Sequence, residues 1–110
     1  MASHNKLVRD RIPEIIAANG GRAETRILPD DEYTASLREK LGEEAREVAR
    51  AASPEELTLE LADVLEVVRA IAAIHGIALG HLEAVRRERA RTRGAFQRKI
   101  MLIATDGEGQ

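Results

Sequence analysis

Residues 53–56, Ser-Pro-Glu-Glu, stand between two long stretches whose apolar residues recur at helical spacing, and so abrupt a junction leaves the chain few ways to fold. Ser53 suits an N-cap, Pro54 a first helical position where its missing N–H costs nothing, and Glu56 the third position of a capping box. The stretch before it predicts a helix from about Asp31 to Ala52, capped by Asp30 or Asp31, with Tyr33, Leu37, Leu41, Val48 and Ala51 as its apolar stripe. The stretch after it predicts a helix that ends at His75 and Gly76. A connection this short makes the two helices antiparallel neighbours.

The second of these helices is apolar on two sides. Leu57, Leu61, Leu65, Val68 and Ala72 line one, while Val67, Ile71 and Ile74 extend another, which places the helix at the centre of its domain or against a partner subunit. A shorter amphipathic helix carries Ile12, Ile15, Ile16 and Ala17 behind Pro13 and stops at Asn19-Gly20-Gly21. A fourth runs from Leu79 to Arg93 and ends at Gly94. With one Phe, one Tyr and no Trp, the core is built from Leu, Ile, Val and Ala, a palette that favours helices. The predicted fold is an all-α antiparallel helix bundle, with residues 23–28 and 97–103 as candidates for a short accessory β-hairpin. We expect one domain over residues 1–104, with Ile100 and Met101 in its core, and a disordered polar tail over 105–110.

The first helix carries a residue that its stripe does not explain. Glu44 stands seven residues after Leu37, three after Leu41 and four before Val48, so its carboxylate lies in the middle of the face meant for burial. Glu47 follows on the shoulder of that stripe, and Glu43 points further toward solvent. In the next helix Glu60 and Asp63 begin the line that continues as Val67, Ile71 and Ile74. Counted outward from the turn, the two acid pairs differ in height by only about 3 Å at the helical rise of about 1.5 Å per residue. Four carboxylates converge on one place, where like charges repel or take up protons unless a cation joins them. All-oxygen ligation selects a hard ion, Mg²⁺ first and Mn²⁺ next. The chain has no Cys, and His4, His75 and His81 lack ligand spacing, which disfavours zinc. Ordinary surface ion pairing, such as Glu43 with Arg46 or Glu47 with Arg50, is the competing account of each pair taken alone.

The run Glu43-Glu44-x-x-Glu47, twelve residues, then Glu60-x-x-Asp63 resembles the signature of the all-α nucleoside triphosphate pyrophosphohydrolases, the MazG-like superfamily that includes phosphoribosyl-ATP pyrophosphohydrolase. "NKLVRDRIPEII" near the start and "RGAFQRKIMLI" near the end resemble the flanks of a phosphoribosyl-ATP-pyrophosphohydrolase-like subgroup, so the similarity covers nearly the whole chain. The resemblance implies a Mg²⁺-dependent hydrolase that splits the bond between the α and β phosphates, releasing a nucleoside monophosphate and pyrophosphate. Glu44, Glu47, Glu60 and Asp63 would be its metal ligands, Glu44 and Glu47 would also be catalytic, and Glu43 would support the site. It further implies a homodimer or homotetramer that clears unwanted nucleotides.

A polyphosphate also needs cationic partners. Arg93 and Lys99 fall in the stretch that resembles the family's C-terminal motif, and Lys6, Arg9 and Arg11 form a second basic group near the N-terminus. Seven of the fourteen residues from Arg86 to Lys99 are Arg or Lys, which keeps a nucleic-acid binder open as a rival. Against it stand the net charge of −2 and the absence of stacking aromatics other than Phe96. A non-catalytic helical interaction module is the second rival. No apolar run reaches membrane-spanning length, and the expected location is the cytoplasm.

Overall fold

A computed structural model describes residue 2 and residues 4–107. Among these the chain forms four helices and no strand: α1 Ile12–Ala18, α2 Asp30–Arg50, α3 Pro54–Ile74 and α4 Leu79–Arg93. The chain divides into two compact units, one up to Ile77 and one from Ala78. Residues 108–110 of the expected tail lie outside the described part.

In the first unit α2 packs along α3, and the three-residue link between Arg50 and Pro54 turns the chain back on itself. The Ser53 side chain accepts a hydrogen bond from the Glu56 N–H at 3.1 Å, and Glu56 Oε2 reaches back to the Ala52 N–H at 3.1 Å. Both free ends of the turn are thereby satisfied, with the returning carboxylate landing one residue earlier than a standard box requires. α1 and α3 end alike. Gly20 and Gly76 adopt positive φ, and Gly21 and Ile77 donate back to the Ile16 and Ala72 carbonyls at 2.9 and 2.8 Å.

Two sequence expectations need correction. α2 starts one residue early: Pro29 is its N-cap with no side-chain cap, so neither Asp30 nor Asp31 caps it. Both acids lie in the first turn, where they complement the positive end of the helix dipole. The accessory hairpin does not form. Residues 23–28 are an extended link with Ile27 94% exposed, tied to α2 by Arg26, whose Nη2 lies 2.9 Å from Glu32. The other segment is consumed by a turn in which the Lys99 N–H donates to the Phe96 carbonyl and Lys99 takes a left-handed φ of 60°. Strand pairing needs an extended backbone there, and two lone strands are marginal in any case. Ile100 and Met101, expected in the core, are exposed.

The core of the first unit is thin. Leu37 on α2 and Val67 and Ala72 on α3 are buried, with Tyr33, Leu41, Val48, Val64, Val68, Ile71 and Ile74 half-buried around them. Of the two apolar sides of α3, the one through Val67, Ile71 and Ile74 is buried or half-buried along its length, whereas the other is split, with Leu57, Leu61 and Leu65 exposed, Val68 half-buried and Ala72 buried.

Candidate functional site

Glu44, Glu60 and Asp63 come together at the end of the α2–α3 pair that lies near the turn. One carboxylate oxygen from each lies within 4.8 Å of the others, and all three residues are half-buried. Helical spacing explains the arrangement: Glu44 continues the α2 line of Leu37, Leu41 and Val48, and Glu60 and Asp63 begin the α3 line that reaches Val67. The Glu44 side chain is only 14% exposed.

The three acids differ in how their charge is met. Lys40 Nζ, one turn earlier on α2, lies 3.6 Å from Glu44 and 3.8 Å from Glu43. Arg9 Nη2 lies 2.6 Å from Asp63 Oδ1. Among the described residues Glu60 has no cationic partner, and desolvation, followed by the charges of Asp63, Glu47, Glu44 and Glu56, pushes its carboxyl above the ordinary range. Negative charge therefore crowds around Glu60, whose own carboxyl resists ionisation for that reason.

Glu47 stands apart from this group. Its carboxylate lies 3.6 Å from Arg50 on the same helix, though its charge is still felt at Glu60. Glu43 turns to another face of α2, where it lines a shallow notch over Gly42 with Arg38, Glu39 and Arg46. Lys6 is exposed. Arg93, in the last turn of α4, and Lys99 belong to the unit that starts at Ala78, and both are exposed. Sequence reasoning missed two contacts. The Lys40 to Glu44 pair was available from its i,i+4 spacing, but nothing in the spacing of residues announces that Arg9 rests on Asp63.

Three of the five arginines on α4 are met by its own acids. Arg86 and Arg87 both reach Glu83, at 2.6 and 3.2 Å, and Arg91 reaches Glu88 at 2.6 Å, whereas Arg89 and Arg93 make no ion pair among the described residues. The Arg86 hydrogen bond is the main reason the Glu83 carboxyl is lowered to about 2. The paired guanidinium groups offer less to a nucleic-acid backbone.

The donor set suits a hard divalent cation. The oxygens are all carboxylate, they come from two facing helices, and they already lie within 4.8 Å of each other. An octahedral ion with oxygens at about 2.1 Å needs neighbouring donors about 3 Å apart, a gap that side-chain rotation closes. Glu44, Glu60 and Asp63 would hold such an ion, with Glu47 one helical turn away.

Comparisons with known proteins bear on the family of this chain. A 55-residue stretch is 53% identical to an uncharacterized protein of Mycolicibacterium smegmatis, covering half of this chain and 55% of that protein. The chain thus spans about half the length of the curated relative that it matches. No solved structure matches. Among the described residues, no helix is long and apolar enough to cross a membrane. Residues 12–92 match the phosphoribosyl-ATP pyrophosphohydrolase family, a span that holds all the acids of the cluster but leaves Lys6, Arg9, Arg93 and Lys99 outside. With its helical hairpin and inward acids, the chain belongs to the phosphoribosyl-ATP pyrophosphohydrolase family, within the all-α MazG-like superfamily of pyrophosphohydrolases.

Proposed function

We propose that this protein is a Mg²⁺-dependent nucleotide pyrophosphohydrolase that splits the α–β phosphoanhydride of a nucleoside triphosphate, or a related nucleotide, into monophosphate and pyrophosphate. The observation that carries this reading is the meeting of Glu44, Glu60 and Asp63 across α2 and α3. Their shared negative charge has no use in a purely structural hairpin, where apolar side chains in the same places would stabilise more. Mn²⁺ is the alternative ion.

A divalent cation would draw charge from the phosphate oxygens and aid ionisation of the attacking water. The chain itself supplies the rest. Glu44, Glu60 and Asp63 fix the ion between two helices. Glu47, outside the trio and paired with an exposed Arg50, would take the proton that the water loses as its oxygen bonds to phosphorus. The leaving group departs with the bridging oxygen as pyrophosphate. Arg9 and Lys6 from the N-terminal arm bind the polyphosphate, and Glu43 supports the acid face through Lys40.

The exposed Leu57, Leu61 and Leu65 on α3 favour assembly into a homodimer or homotetramer. We place the protein in the cytoplasm, where it would remove unwanted nucleotides. The test is a panel of nucleoside triphosphates incubated with Mg²⁺, with pyrophosphate and orthophosphate scored separately. Pyrophosphate from one or a few of them, abolished by chelator, is the expected result. Orthophosphate alone, or no product from any of them, would overturn the proposal.

A further inference from the structure

Arg9 belongs to no helix and stands 54 residues from Asp63 in the chain, yet its guanidinium makes the short hydrogen-bonded ion pair with that carboxylate. Asp63 is one of the three acids within 4.8 Å of each other, so the N-terminal arm delivers a positive charge to the group that would receive a divalent cation. Lys40 serves Glu44 from within its own helix, and Glu60 is left facing the other acids. We propose that Arg9 is the resident counter-cation of this cluster: it holds Asp63 while no divalent ion is present and is exchanged off Asp63 when one enters.

This inference rests on the metal reading given above. Two features of the pair suit it to exchange. Its side chains are 57% and 39% exposed, so water and salt screen it and its strength is that of a surface ion pair, weak enough for a divalent cation to displace. Arg9 also sits before α1, and turning its side chain away from Asp63 leaves intact the hydrogen bond that its carbonyl accepts from the Ile12 N–H at 3.1 Å. Once released, its planar fork is free for phosphate oxygens, which couples filling of the cation site to readiness for an anionic substrate.

Titration of the full chain with MnCl₂ by calorimetry, without nucleotide and at low ionic strength, tests the exchange. Arg9→Gln should bind Mn²⁺ about two- to fivefold more tightly than wild type, the factor that an exposed ion pair withholds. Arg11→Gln serves as the control, because it removes an equal charge two positions on from a guanidinium that pairs with Glu14 instead. Its affinity should match wild type. An Arg9→Gln affinity equal to or weaker than wild type, or an equal gain in Arg11→Gln, overturns the exchange while leaving the cation site in place. Failure of the wild-type chain and both variants to bind Mn²⁺ removes the metal reading itself, and the exchange with it.

Discussion

α4 and the α2–α3 hairpin are both rich in charge, but they dispose of it in opposite ways. On α4 each acid that matters has a base three or four residues on: Glu83 has Arg86 and Arg87, and Glu88 has Arg91. On α3 the positions three and four residues from Glu60 and Asp63 hold acids or apolar residues and no base at all. A helix that answers its own charges presents a solvated surface. One that leaves them unanswered on an inward face must receive help from elsewhere, and here that help comes from Arg9 and, in our proposal, from a cation.

The contrast can be broken most severely at Glu60. Glu60→Gln should lower Mg²⁺-dependent pyrophosphate release by about 100-fold or more, because it removes the acid with the least compensation. The same variant should melt no lower than wild type without metal, since one repelling charge has gone. Full turnover in a folded Glu60→Gln protein would mean that the cluster is not the reacting centre. A smaller effect is expected at the turn that sets the two acid pairs at one height. Ser53→Ala deletes the acceptor of the Glu56 N–H and should cost about 1 kcal/mol, read as a drop of several degrees in Tm.

pH separates the two regions by sign. The Glu60 carboxyl is raised in the folded chain, so the fold binds the extra proton, and its contribution fades as pH climbs from the ordinary carboxylate value through the raised one. Glu83 is lowered to about 2, so its contribution is present above the unfolded value of 4.5 and fades as pH falls from there toward about 2. Carboxyl-carbon NMR titration should therefore find Glu60 above and Glu83 below the usual range. Both on the same side would refute the comparison. Smallest of all, Glu83→Gln should reduce the helical circular-dichroism signal slightly and change pyrophosphate release by less than about twofold, since it disturbs only exposed local pairs.

Much of this was legible in the residues. The Ser53-Pro54-Glu55-Glu56 start, the glycines after α1, α3 and α4, and the inward spacing of Glu44, Glu60 and Asp63 all follow from rules that act over one helical turn. Errors arose where those rules compete or run out. Residues 23–28 and 97–103 have strand-like composition, but a strand needs a partner, and Arg26 and the turn at Lys99 take the two segments elsewhere.

Periodicity and capping alone determined that the described residues make four helices, that two of them form a hairpin, and that acids stand where leucines would serve a simple core. Those signals are local, carried by neighbours one turn apart. Which carboxylates share a space, and that a guanidinium from the N-terminal arm closes on Asp63, was decided by tertiary packing. Such a contact depends on where whole segments are placed and how side chains rotate, and no spacing rule reaches across 54 residues.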